Sequence, residues 1–169
     1  IRRKPAKKID IFGVSEKTGV ILFVGRLTGP KGDVVRFLIS DVLGKVEQKT
    51  GCVFCVVGGL KVPDDIPSRI EEANQQAGRE AVILKDFQND VAPYLQAADV
   101  VIASGRVAME SLLVGKPTVA FGETNYHGLI TEENFEEAAR TNFGDTGVVL
   151  PAERDRVAKD LTLLLKRGR

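Results

Sequence analysis

At 169 residues the chain is long enough for one compact domain with a real core and too short for two ordinary ones. Its 43% hydrophobic and 28% charged content is ordinary globular usage, and 24 Lys plus Arg against 23 Asp plus Glu leave a formal charge of +1, which argues against a nucleic-acid-binding or membrane-binding surface. No apolar run approaches the ~20 residues needed to span a bilayer, and no charged start leads into an apolar signal core, so a cytoplasmic setting is expected, with any membrane contact peripheral and made through another domain.

Residues 1–18 read as a linker or tail. They hold the one basic run, Arg2-Arg3-Lys4 with Lys7-Lys8, broken by Pro5 and placed before any periodic segment. The chain begins at Ile1 rather than Met, which points to a piece of a longer polypeptide. Residues 19–169 then alternate short β-rich runs with helical periodicity. Val20-Ile-Leu-Phe-Val24 is a fully apolar strand ending at Gly25, and Val34, Val35, Leu38, Ile39, Val42, Leu43 and Val46 recur at helical spacing, with Asp33 as the expected cap and Gly51 as the stop. The second strand, Cys52 to Val57, halts at Gly58-Gly59, and a loop from Pro63 to Pro67 precedes a polar helix around Ser68 to Gln76.

Ala81 to Leu84 is the third strand, Val91 to Ala97 a short helix, Val100 to Ala103 the fourth strand, Gly105 to Val114 a helix and Thr118 to Phe121 the fifth strand. Met109, Leu112 and Leu113 are the expected buried stripe of the Gly105 helix, with Glu110 at its edge. Glu132 to Arg140 reads as a helix capped by Thr131, Gly147 to Leu150 as a short apolar run, and Ala152 to Lys166 as a closing helix with Val157, Leu161, Leu164 and Leu165 on one side. Strands without a polar face, alternating with helices, predict a doubly wound, Rossmann-like α/β domain whose parallel sheet is covered on both sides.

Cys52 and Cys55 have Cys-x-x-Cys spacing but fall on a predicted strand, where residues three apart point to opposite faces. Core packing is therefore expected, and no metal site.

In open parallel sheets ligands bind beyond the carboxyl ends of the strands, which directs attention to the loops there. Gly25-Arg-Leu-Thr-Gly-Pro-Lys-Gly32 puts Arg26 and Lys31 on either side of a Gly-Pro turn, a forked cation and a point charge suited to a diphosphate. Asp33 follows Gly32, so this is no Walker A loop and metal-dependent NTP hydrolysis is disfavoured. Ser104-Gly-Arg106 opens a helix whose free amides can meet an anion, with Gly105 allowing close approach. Glu110 lies five residues beyond Gly105, ~7 to 8 Å along the axis, where a carboxylate can accept from ribose hydroxyls. Gly122-Glu-Thr-Asn-Tyr-His-Gly128 reads as a loop on the same rim, where Asn125, Tyr126 or His127 is a candidate to contact a donor sugar or acceptor, His127 also as a general acid or base.

The Val24-Gly-Arg-Leu segment with Lys31-Gly32, the Ala98-Asp99 pair and the block Gly105-x4-Glu110-x4-Gly115-Lys-Pro117 resemble the C-terminal, donor-binding half of GT-B fold glycosyltransferases, particularly the retaining family 4 (group 1) enzymes, over about residues 9–166. The resemblance implies that residues 19–169 are a nucleotide-sugar-binding domain, with Arg26 and Lys31 on the donor diphosphate as leaving-group stabilisers. It also implies that Gly25 lies beside them, that Ser104, Gly105, Arg106 and Val107 offer backbone amides, that Glu110 holds the ribose, and that Asp86 and Phe87 border the base through main-chain contacts. The donor is expected to be a UDP-sugar, with a GDP-sugar as second choice; no cofactor is implied, and the expected partner is an N-terminal acceptor-binding domain of the same chain. One departure stands out: family 4 enzymes usually carry Glu-x7-Glu, and eight residues before Glu110 this sequence has Ile102. The block is thus also similar to the inverting family of lipid-linked GlcNAc transferases and to UDP-GlcNAc 2-epimerases. The readings in play are a hexosyltransferase domain inactive on its own, an epimerase half, and a non-catalytic nucleotide-binding or interaction module.

Overall fold

The computed structural model describes residues 4–168, so Arg2 and Arg3 of the basic run lie outside the described residues. The elements in chain order are α1 (Lys8–Phe12), β1 (Val20–Val24), α2 (Gly29–Phe37), a π-helical turn (Leu38–Val42), α3 (Leu43–Thr50), β2 (Val53–Val57), α4 (Asp65–Ala77), β3 (Val82–Lys85), α5 (Ala92–Ala97), β4 (Val100–Ala103), α6 (Gly105–Leu113), β5 (Thr118–Phe121), β6 (Tyr126–Leu129), α7 (Phe135–Arg140) and α8 (Arg154–Arg167). The six strands form one sheet in the order β3-β2-β1-β4-β5-β6. Pairing is parallel from β3 to β5, with Ile21 opposite both Phe54 and Val100, and β6 returns antiparallel beside β5.

The strand alternation divides the core into two layers. Ile21, Phe23, Phe54, Val56 and Ile102 face the helices α2, α3, α4 and α8, while Val20, Leu22, Cys55, Val57 and Val101 face α1, α5, α6 and α7. Cys52 belongs to the first layer and Cys55 to the second, as opposite-facing strand positions require. Burial pushes both thiols up, that of Cys55 to about 12.

The expected long helix after β1 starts earlier, at Gly29 with Pro30 in its first turn, and passes through the π-helical turn before α3 ends at Gly51 in a left-handed C-cap. Asp33 is not its cap. It pairs with Arg36 one turn on, at 3.1 Å, and Arg36 in turn donates to both oxygens of Asp65 at 2.6 and 2.8 Å, tying α2 to the start of α4. Arg69 adds a third bond to Asp65 at 2.9 Å.

The tail reading of the N-terminal segment is corrected from residue 8 onward. Phe12 is buried edge-on to Tyr94, and the Lys8 ammonium reaches the Asp99 carboxylate at 2.7 Å and the carbonyls of Glu16 and Thr18 at 3.0 and 2.8 Å. The partners Tyr94 and Asp99 are distant in sequence, so local composition does not reveal this packing. The antiparallel β6 also departs from the all-parallel expectation. Gly147 to Leu150, by contrast, forms no strand, and Val148, Val149 and Leu150 are exposed.

Two outcomes follow from this packing. A thiol reagent added to native protein should label neither Cys52 nor Cys55 on the timescale on which it labels both in denaturant; rapid native labelling would contradict their burial in the sheet. The hydrogen bonds from Arg36, then Arg69, hold the Asp65 carboxyl well below the usual carboxylate range. A carboxyl depressed in the folded state contributes stability that is fully present above its unfolded value of about 4 and is lost as pH falls below it. Asp65→Asn should therefore flatten the acid limb of stability against pH, measured by urea unfolding from pH 5 down to 2.

Candidate functional site

The sheet order reverses between β1 and β4, so the chain leaves these neighbouring strands toward opposite faces and opens a crevice at their carboxyl ends. A cleft of about 760 Å³ lies there. It is floored by Val24, Gly25, Val57 and Gly58, walled on one side by the 87–92 segment after β3, and on the other by Arg106, Val107, Glu110 and Leu113 of α6. Of the residues singled out from sequence, the cleft lining gathers Gly25, Arg26, Phe87, Arg106, Val107 and Glu110.

Each is placed by a local cause. Gly25 extends the β1–β2 pairing by donating to the Val57 carbonyl at 3.2 Å, which fixes the departure of the Arg26 loop, and the Arg26 side chain is 72% exposed. Gly105 begins α6 at φ +56°, a left-handed value that a side chain rarely adopts, and its N–H is taken by the Asn142 carbonyl at 3.0 Å. The next amides, of Arg106 and Val107, belong to the first turn, which has no intrahelical acceptor. Ser104 is the buried residue just ahead of the helix. Glu110 pairs with Arg106 one turn earlier at 3.3 Å, on the cleft face of α6. Asp86 precedes Phe87 but is not part of the lining.

Helix α6 turns a different side to the sheet than its apolar periodicity predicts. Ala108 and Ser111 are buried, Ser111 and Thr118 share a 2.7 Å hydroxyl bond, and Met109 and Leu113 are exposed. Small side chains let the helix approach β4 and β5 closely, and this leaves the larger ones outside. Ile102, eight residues before Glu110, is fully buried within β4 between Phe23 and Val119, so a side chain at that position faces the core and not the cleft.

Lys31 lies just beyond the cleft lining, its stem passing near Gly25 and its ammonium pairing with Asp145 at 3.2 Å. Asp145, with Glu123, was not visible as part of the site from sequence. Glu123 pairs with Arg26 at 3.5 Å, and its N–H donates to Asp145 at 3.3 Å. The segments carrying them touch backbone to backbone: a Cβ on Gly122 would lie 2.3 Å from the Gly144 carbonyl carbon, and Thr124 and Asn125 both donate to the Gly144 oxygen, at 2.8 and 3.0 Å.

The loop expected around Asn125, Tyr126 and His127 is corrected. Tyr126 and His127 are in strand β6, not in a loop. The Tyr126 hydroxyl donates to Asp160 of α8 at 2.7 Å beneath Arg156, and burial, reinforced by that bond, pushes its pKa up. His127 Nε2 meets the Thr141 hydroxyl at 2.7 Å, and Asn125 donates to Thr124 and to the Val148 carbonyl at 3.2 and 3.1 Å. None of the three lines the cleft.

A Rossmann-like α/β domain with its opening at the β1/β4 reversal is the class this architecture defines, and among solved structures it is the domain type of GT-B glycosyltransferases. The chain belongs to the family of glycosyl transferases group 1, whose pattern matches residues 18–167. A glycosyltransferase of Rickettsia africae superposes with a TM-score of 0.65 at 19% identity, over 94% of this chain and 40% of that one. HepE of Anabaena in complex with UDP-glucose gives 0.63 at 22%, over 95% and 42%. A UDP-GlcNAc 2-epimerase of Neisseria meningitidis bound to UDP-GlcNAc gives 0.53 at 17%, over 95% and 39%. The chain thus spans about two fifths of the length of these structures. No curated protein sequence matches it. No helix among the described residues is long and apolar enough to cross a membrane.

The backbone contact at Gly122 makes a direct forecast. Gly122→Ala should destabilise the protein by about 2 kcal/mol or more, since the contact it creates is with backbone and cannot rotate away. Chemical denaturation of parent and variant measures it, and an unchanged midpoint would show that the two segments can separate freely.

Proposed function

We propose that the chain is the donor-binding domain of a glycosyltransferase that moves a hexose or N-acetylhexosamine from a nucleotide sugar to a glycan, lipid or small acceptor. The observation that carries the reading is the joint placement of Arg26, the first turn of α6 and Glu110 around one cleft at the sheet reversal. A diphosphate set between Arg26 and the Arg106 and Val107 amides leaves the ribose within reach of Glu110, with the base toward Phe87. A UDP-sugar is the favoured donor, in keeping with the UDP-glucose held by HepE, and a GDP-sugar is the second choice.

The chemistry asked of these groups is electrostatic. As the bond from the sugar to the diphosphate breaks, negative charge grows on the leaving oxygen, and in this reading Arg26, Lys31 and the α6 amides offset it. The acceptor and its base would come from a domain across the cleft, so this chain alone binds donor and transfers poorly. In this reading Ile102 leaves the usual sugar-contacting carboxylate without a counterpart, and the sugar is recognised from elsewhere.

A second reading, an epimerase half domain, is favoured by that same missing carboxylate together with the fold shared with the Neisseria enzyme. Product analysis with UDP-GlcNAc and the longer protein separates the two, since one reading gives transfer and the other a changed stereocentre on the same nucleotide.

Calorimetric titration with UDP, GDP and ADP tests the site itself. UDP should bind best, and Arg26→Ala and Glu110→Ala should each weaken it by about 10-fold or more, the loss of a charge-assisted hydrogen bond. Equal binding of UDP by parent and both variants would move the site elsewhere, and no binding of any nucleotide by folded protein would favour a non-catalytic module.

A further inference from the structure

Both cations assigned to the diphosphate already have anionic partners within the chain. Arg26, its side chain 72% exposed, pairs with Glu123 at 3.5 Å, whereas Lys31 and Asp145 meet in a more enclosed setting, with their side chains 20% and 14% exposed. The Asp145 carboxylate is held at both oxygens: Oδ1 accepts from the Glu123 N–H at 3.3 Å, and Oδ2 accepts from Lys31 at 3.2 Å. Oδ2 also stands 3.2 Å from where a Cβ on Gly105 would project, so it lies against the first residue of α6. An anion there has a lysine ammonium and a backbone amide, beside the positive end of a helix.

The backbone that delivers it is unusual. Asn142 and Phe143 both have left-handed φ values, +51° and +57°, and Gly144 follows at +100°. Such a run is costly for Phe, and it persists because Phe143 is buried against Phe135 while Asn142 accepts the Gly105 N–H. The strained turn is therefore anchored on α6 itself, and it aims Asp145 at Lys31.

Resting on the donor-site reading above, we propose that the Asp145 carboxylate is an internal stand-in for a donor phosphate, which a nucleoside diphosphate must displace from Lys31 in order to bind. The two anions cannot share the ammonium without repulsion at close range. Asp145 thereby lowers affinity for the nucleotide, and by reclaiming Lys31 it helps expel the nucleoside diphosphate after transfer.

The test is UDP titration of the parent chain, Asp145→Asn, Lys31→Ala and the double variant. Asn preserves size and an acceptor for the Glu123 N–H while removing the charge. Asp145→Asn should bind UDP about 5- to 10-fold more tightly than the parent, and the same change in the Lys31→Ala background should gain less than about 2-fold. Equal or weaker binding by Asp145→Asn, with the parent binding UDP, overturns the inference and leaves the donor site standing. An equal gain in both backgrounds also overturns it, since removal of bulk charge would then explain the effect. No binding of UDP, GDP or ADP by parent or variants removes the donor site and the inference together. Should Asp145→Asn fail to fold, the carboxyl ¹³C resonance of Asp145 in the labelled parent decides: it moves on saturation with UDP if the ion pair is broken, and an unmoved resonance overturns the proposal.

Discussion

Strand β1 is hydrogen-bonded on both sides, to β2 and to β4, and the rest of the molecule follows from that double pairing. Its residues Val20, Ile21, Leu22 and Phe23 are buried, so they can only occupy the middle of a sheet with a layer of helices on each side. Because the chain proceeds outward from β1 in one direction to β2 and β3, and then returns to add β4 on the other side, its connections must lie on opposite faces. The opening between the Arg26 loop and α6 is the geometric residue of that reversal.

The same constraint explains the use of glycine and small residues around the opening. Backbones of different loops converge where strands end, and space there is set by main-chain atoms and by one buried side chain. At Gly58 an added Cβ would lie 2.7 Å from Leu27 Cδ1, and at Gly32 it would lie 2.3 Å from the Leu27 carbonyl oxygen. Leu27, fully buried beneath the loop, is the plug that holds the Arg26 turn down. Arg26 and Lys31 then sit on a surface whose shape is fixed by packing, and each takes its counter-charge, Glu123 or Asp145, from another loop.

What could be read in the sequence divides along sequence distance. The first five strands and the helices between them are legible because each carries its own signal: a continuous apolar run, a helical period or a glycine stop. The Arg26 loop, Gly105 and Glu110 are legible for the same reason, being short motifs on recognisable boundaries. Strand β6 is not: Tyr126-His-Gly-Leu129 has a glycine at left-handed φ and little apolar content, and it exists because β5 offers an edge and Tyr126 packs on Phe121. Asp145 is equally invisible, since it reaches Lys31 through a turn whose shape depends on α6 and α7. On α6 period alone favours the larger apolar side chains for the buried face, whereas close packing on the sheet selects Ala108 and Ser111.

At the opposite end of the sheet the Lys8 ammonium has three acceptors, and an ammonium has three N–H bonds. Asp99, one of the three, also accepts the Val20 N–H at 2.7 Å, and so joins the starts of β1 and β4 to the segment before them. Releasing the ammonium would cost residues 8–18 all three of its contacts at once, while Asp99, 38% exposed, would keep the Val20 N–H. The attachment of α1 to the two central strands thus depends on a single buried cation that gathers its acceptors from two separate stretches of chain.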